Sequence, residues 1–352
     1  MASQDRKPPP HGIRSVQRPE TAAPRHQKRP KTGNRRSVGT IHSTYRMFFS
    51  FLRVVHYRGH VAFDTATQTT TEAGDGAPSH RFVGAPSCYL QLAESRAMFE
   101  LGAFAASAPM LRLLGRGDRH PVLVLPGFTA GDSSTAPLRW TLRSQGYWAH
   151  GWNLGPNIGP TDRILDGIHA RLDQIHARHG RTVTIVGWSL GGIYARELAR
   201  DNPAAVRQVV TLGSPFRLTL EDRSTVSGLV DRLSPAWSAE VMRLAMEEQD
   251  KPPLEVPSTA VYTRSDGVVR WHTCIDSESD RHENIEVKGS HSGLGFNPAV
   301  LYALSDRLAQ PEGDWRPFSA PLPIRAWYPK PVSWTASPRT ASVRGQRLRR
   351  SA

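Results

Sequence analysis

The sequence predicts an α/β fold: a mostly parallel central sheet flanked by helices, with a helical cap inserted late in the chain. Three observations predict it. Between residues 119 and 312, short apolar runs alternate with longer stretches of helical spacing, the rhythm of crossover-connected parallel strands. Several of those runs are continuously apolar and β-branched, as in strands covered on both faces. One of them, 183–186, leads through Gly187-Trp188-Ser189-Leu190-Gly191 straight into a helical stretch.

Ahead of the regular part, residues 1–45 are rich in Pro, Arg, Lys and Ser, too poor in large apolar residues to build a core, and predict a disordered basic tail. Residues 46–118 predict a helical or irregular segment packing on the core. Within it, 60–90 show no clear pattern. The spacing of Leu92, Met98, Phe99, Leu101, Phe104, Met110 and Leu113 predicts one or two helices over 93–114. The strands and helices then follow in order. A strand is predicted over 121–126, a loop over 127–131, a helix over 137–145, and a strand over 147–152 with Trp148 and Trp152 as core. Asp132, with Ser133 and Ser134, is placed to cap the helix nearby. A long helix over 162–179 and the strand-turn-helix around Ser189 come next, with Asn202 and Pro203 as the stop. A strand over 207–212 ends in Gly213-Ser214-Pro215. Residues 217–256 break the rhythm with helical patterns over 226–233 and 236–246, and predict the cap or lid. Strands over 258–263 and 284–288 and a helix over 298–309 complete the domain. Residues 313–352 are Pro-rich and basic, and predict a second tail.

Charge sorts the chain the same way. Residues 1–60 hold 13 Lys and Arg against 2 acids, and residues 315–352 hold 8 against none, so the net +14 belongs to the ends while the middle is mildly acidic. The basic tail over 1–45 carries no aromatic interleaving and no nucleic-acid motif, so no specific nucleic acid is predicted as a partner and at most weak contact with an anionic surface. Two cysteines, Cys88 and Cys274, are too few for a disulfide framework and are expected as free thiols. No run reaches the ~20 apolar residues of a membrane span. The short stretch 47–55 is interrupted by Arg53 and lacks a cleavage site, so a cytoplasmic location is the default expectation, and Met47 is an alternative start. His169, His176 and His179 share a helix without metal-ligand spacing, so no metal is predicted.

The chemistry is carried by the serine. Glycines at 187 and 191 let a strand turn sharply into a helix, where side chains would collide, and the turn lifts the Ser189 hydroxyl above the sheet at the positive end of the helix. A serine hydroxyl is a weak nucleophile until an imidazole takes its proton and a carboxylate orients that imidazole. The elbow therefore demands an acid after a late strand and a histidine after the last. Asp266 sits in a turn after the strand over 258–263, and His291 in a Gly/Ser loop after the final strand, in the required order. Asp276 and Asp280 are rival acids, but neither directly follows a strand. The oxyanion requires preset backbone donors, for which Leu190 and Phe128 are the candidates, with Gly127 allowing close approach.

On Pro126-Gly127-Phe128, Gly187-Trp188-Ser189-Leu190-Gly191-Gly192, Thr211-Leu-Gly-Ser-Pro215, Asp266 and His291, the stretch 119–309 resembles the α/β-hydrolase fold serine hydrolases, bacterial esterases and lipases in particular. Many members carry His-Gly in the oxyanion loop where this chain has Pro126-Gly127. The resemblance implies a cofactor-free acyl-enzyme mechanism on a small-molecule or lipid ester, with Ser189 as nucleophile, Asp266 as orienting acid and His291 as base. An acyltransferase or thioesterase would use the same three residues. A non-catalytic binding module on the same fold is a further alternative, disfavoured by the filled triad positions, and a tail-mediated protein that binds nucleic acid or membrane through its basic ends is another. The oligomeric state is not legible.

Overall fold

The computed structural model describes residues 85–111, 114, 117–218, 222, 240, 241, 243–245, 248 and 251–332. The N-terminal tail, the apolar stretch 47–55, the helix expected over 226–233 and residues 333–352 lie outside them.

Six strands form one sheet: β1 (Pro121–Leu125), β2 (Trp148–Gly151), β3 (Val183–Trp188), β4 (Val206–Leu212), β5 (Ser258–Tyr262) and β6 (His282–Glu286), in the order β2-β1-β3-β4-β5-β6. Every pairing is parallel. All residues of β1, β3, β4, β5 and β6 are buried, which is why the β1 run reads as unbroken rather than alternating.

Two layers of helix cover the two faces. Period-two side-chain alternation divides β1 between them. Leu123 and Leu125 pack with α4 (Asp162–His179) and α5 (Leu190–Asp201), through residues such as Ile168, Leu172 and Ile193. Val122 and Val124 pack on the other side with α2 (Ala97–Leu111), α3 (Ala136–Ser144) and α6 (Pro298–Ala309). A short helix, α1 (Cys88–Ala93), and one 3₁₀ turn, Glu94–Arg96, lead into α2.

Four elements differ from expectation. The final strand begins and ends two residues earlier than predicted, because the polar residues His282 and Glu283 are buried with partners: His282 on the Leu254 carbonyl, Glu283 on Arg307. Trp152 is core, but Trp148 is 41% exposed on the edge strand and stacks on His179, 4.2 Å between ring centres. On α2 the buried stripe is Ala97, Leu101, Phe104 and Leu111, at helical spacing, and Leu92, Phe99 and Met110 face outward. Finally, residues 313–332 run along the body rather than away from it. Phe318 and Tyr328 pack with each other near Tyr302, and the Tyr328 hydroxyl donates to the Ala299 carbonyl.

The described part of the expected cap is rooted on α5. The Arg196 guanidinium, fully enclosed, bonds Glu248 at 2.6 Å and Asp276 at 2.6 Å. Glu248 also receives Arg200, and Lys251 reaches Glu197 at 2.7 Å. Asp276 is thereby held below the usual carboxylate range: burial works against its charge, and Arg196 outweighs burial. Arg196→Met should destabilise the fold by about 3 kcal/mol or more, since Asp276 would stay buried without its cation. A urea midpoint unchanged from the parent would refute that estimate.

Candidate active site

The site is assembled where the strands end, at the carboxyl edge of the sheet. Ser189 follows β3 directly and opens α5. Its backbone lies at φ +54° and ψ −124°, a region an L-residue occupies only when its surroundings force it there. The surroundings are backbone. A Cβ on Gly187 would fall inside contact distance of the Gly191 carbonyl and the Gly192 Cα. One on Gly191 would lie 2.5 Å from the Leu125 carbonyl oxygen, and one on Gly192 would lie 2.5 Å from Ser214. The Ser189 amide donates to the Leu212 carbonyl at 2.9 Å, which ties the turn to β4. Ser189 itself is half-buried, so its hydroxyl is reachable.

Asp266 lies four residues beyond β5 and His291 five beyond β6. Both are buried, and the His291 Nδ1–H donates to Asp266 Oδ2 at 2.6 Å. The other carboxylate oxygen accepts the Val268 and Val269 amides, each at 2.8 Å, so Asp266 is oriented before it meets the imidazole. Burial disfavours the imidazolium, but Asp266 and, less strongly, Glu94 outweigh that, and the His291 pKa stands above its ordinary value. With Nδ1 carrying its proton toward a carboxylate, Nε2 has a free lone pair. The Trp188 indole N–H donates to the His291 carbonyl at 3.2 Å, joining the residue before the serine to the base loop. A Cβ on Gly213 would stand 3.0 Å from His291 Nδ1, so the end of β4 forms the floor under the ring.

The loop after β1 lies against the serine. A Cβ on Gly127 would be 3.1 Å from Ser189 Cβ and 3.7 Å from its Oγ. Phe128 follows, half-buried against the core. Among the described residues nothing accepts a hydrogen bond from its amide, whereas the next amide, Thr129, donates to the Asn157 carbonyl at 2.7 Å. Asn157, fully buried, also donates from its side chain to the Pro126 carbonyl at 2.9 Å. Leu190 occupies the first turn of α5, where backbone N–H groups lack an intrahelical acceptor.

Asp132 does not cap α3 as expected. The residue before that helix is Thr135, which makes no side-chain cap, and Asp132 instead accepts the Trp152 and Asn153 amides at 3.0 Å each. The carboxylate thereby satisfies amides exposed by the left-handed turn at Asn153. Asp276, a rival for the acid, is occupied by Arg196, and Asp280 is exposed. His176 bonds the Arg181 carbonyl and His179 bonds His150. Among the described residues no group of three or more His, Cys, Asp or Glu is arranged to hold a metal ion. Nor is any described helix long and apolar enough to cross a membrane.

Sequence reasoning missed Asn157, which sat unremarked in a turn-rich loop, and three residues ahead of the sheet: Glu94, Arg96 and Glu100. The signal for the last three was their isolation, as charges in an otherwise apolar helical stretch.

A parallel sheet with a strained serine turn after its central strand, and an acid and a histidine from two later strand ends, is an α/β-hydrolase fold. No model of a known protein family matches the chain. It is similar to the pimeloyl-[acyl-carrier protein] methyl ester esterase of Shewanella woodyi, 32% identical over 109 residues, 31% of this chain and 41% of that protein. It is also similar to the mouse serine hydrolase BPHL, 29% identical over 127 residues, 34% of this chain and 43% of that protein. The chain thus spans less than half the length of these curated relatives. Among solved structures, Aspergillus fumigatus lipase B superposes with a TM-score of 0.44 at 17% identity, over 56% of this chain and 54% of that one.

The elbow makes one energetic demand. Gly187→Ala, whose Cβ would meet the backbone of Gly191 and Gly192, should cost about 3 kcal/mol in urea denaturation. Parent-like stability would mean that β3 and α5 can part at no cost.

Proposed function

We propose that the protein cleaves a carboxylic ester through an acyl-Ser189 intermediate. The observation that supports this most is the Asp266–His291 hydrogen bond, buried and pre-oriented, in a chain where, among the described residues, the only serine at positive φ sits at a strand-to-helix elbow beside Gly127.

The Asp266–His291 hydrogen bond supports the following sequence of steps. His291 Nε2 takes the Ser189 hydroxyl proton as the oxygen attacks the ester carbonyl, and Asp266 stabilises the imidazolium that forms. The carbonyl oxygen becomes an oxyanion, and the amides of Leu190 and Phe128 are the donors offered to it. Collapse expels the alcohol, which takes its proton from His291 and leaves the acyl group on Ser189. Water then enters, gives a proton to His291 and attacks the acyl carbonyl. The second collapse frees the carboxylic acid and returns the proton to Ser189. The substrate class is a small-molecule or lipid ester, and the relative named for a methyl ester is compatible with a small leaving alcohol.

A fluorophosphonate probe, which reacts only with activated serines, tests this. The parent chain should label, and Ser189→Ala and His291→Ala should not. With p-nitrophenyl esters Ser189→Ala should lose about 10⁴-fold or more in kcat. A parent that neither labels nor turns over, with or without detergent, would refute the reading. The pH profile is a separate check. Only neutral His291 can take the proton, and its pKa is raised. Activity should therefore fall as pH drops through a midpoint above the ordinary imidazole value of about 6.5. A midpoint below that value would mean that Asp266 does not act on the base.

A further inference from the structure

Two loops carry Asp266 and His291, and neither is stiff by composition. They read Thr263-Arg-Ser-Asp-Gly267 and Lys288-Gly-Ser-His-Ser-Gly293. The Thr263 and Ser265 hydroxyls of the first donate to the Gly289 carbonyl of the second, and both are braced by a third segment, the turn between α1 and α2, which lies far ahead of both in the chain and outside the stretch that resembles a hydrolase.

Glu94 is the centre of it. The residue is 3% exposed, and its two carboxylate oxygens accept three backbone amides from both loops. Oε1 takes Gly267 N–H at 2.9 Å and His291 N–H at 3.0 Å, and Oε2 takes Ser292 N–H at 2.9 Å. One carboxylate thus bridges the residue after the acid and the base itself. Two neighbours add matching contacts. Arg96 donates to the carbonyls of Ser265 and Gly289, one on each loop, at 2.5 and 2.8 Å. Glu100 accepts the Ser290 amide at 2.7 Å and the Asn297 side-chain amide at 3.0 Å. The segment offers acceptors to loop amides and a donor to loop carbonyls, a polarity match along both strands of contact.

The loops are shaped to receive it. A Cβ on Gly267 would strike the Leu90 carbonyl, and one on Gly293 would strike the Glu100 carboxylate. Glycine at these two positions lets the segment come this close. An ionised carboxylate that accepts three amides in a buried place is also stronger than three neutral bonds, and it puts a negative charge beneath the imidazole.

We infer that Glu94 is a positioning residue for the proposed triad, its carboxylate setting the His291 backbone against the Asp266 loop and adding a negative charge that favours the imidazolium. This rests on the reading of Ser189, Asp266 and His291 as the reacting set. The charged groups facing His291 are Asp266 from the loop after β5 and Glu94 from the α1–α2 turn, and Glu94 is the one that sequence motifs do not disclose.

Glu94→Gln removes the charge and keeps the size, and Glu94→Asp keeps the charge but withdraws it by one methylene. Each is compared with the parent by active-site titration, steady-state kinetics on p-nitrophenyl butyrate, and NMR titration of the His291 ring, its signal assigned with His291→Ala. The expected result for Glu94→Gln is kcat per titrated site lower by about 10- to 100-fold at unchanged KM. The His291 pKa should fall, moving the acid limb of the rate to lower pH. Glu94→Asp should keep the pKa near the parent's and lose part of kcat. A purely structural role would lower the melting temperature and the number of titratable sites, with kcat per site and the pKa unmoved; that outcome overturns the inference. If Glu94→Gln does not fold, Glu94→Asp decides, and an unchanged kcat per site overturns it. If the parent has no esterase activity, the triad reading fails separately, and the NMR titration still decides the effect of Glu94 on His291: an unmoved pKa in Glu94→Gln overturns the inference.

Discussion

Three stretches of backbone meet around the serine elbow with no room for side chains: the end of β1, the end of β3 and the first turn of α5. Gly187, Gly191 and Gly192 are each enclosed by main chain or by Ser214, and Ser189 is held at positive φ as the one place where the path can bend. The rest of the architecture follows from that contact. The helix must cross the sheet closely enough for Ile193, Ala195 and Leu198 to bury, and the flanking strands must be parallel for their loops to converge on the same edge. The strain is borne by packing on both sides of a fully covered sheet. A solvated or edge position could not supply that support.

Around the elbow, the charges are held by amides rather than by solvent. Asp266 takes two backbone amides, Asp132 takes two, and Glu94 takes three, each carboxylate stabilising a loop at a strand end. This is a consistent solution to one problem: loops at the carboxyl edge leave N–H groups without ladder partners, and a buried orphan donor costs about 1–3 kcal/mol. Carboxylates placed there satisfy the orphans and set the electrostatics of the edge together. His291 registers the result as a raised pKa despite its burial.

Much of this was legible in the residues because local rules and tertiary demands agree there. The helices over 162–179 and 298–309 lie where the spacing places them, with Thr161 and Asn297 capping their starts. The run 183–186 is a strand because it is β-branched and covered on both faces. Ser189, Asp266 and His291 are candidates by an order of residue types, and the fold brings the last two into contact across a separation of 25 residues. The misses share a cause. Trp148 faces outward because β2 is an edge, and strand order is not written in a single strand. Asp132 looked like a cap because caps are local, and its amide partners lie 20 and 21 residues away. Glu94 and Arg96 carry no motif at all, since their meaning depends on loops more than 160 residues downstream.

That last separation has a consequence for how the protein comes into being. Glu94 and His291 are 197 residues apart, so the contact that seats the base is among the most non-local in the molecule. Loop closure over such a span is late in folding, after the local strand-turn-helix units have formed. During synthesis α5 emerges before Leu212 and Ser214, which tie down the elbow around Ser189, and well before His291. A chain that ends before residue 291 therefore cannot form the bridge between Glu94 and the last loop. The Glu94 bridge comes into existence only when the first helices close on the last loop, which makes its assembly a test of whether the residues between them have been finished.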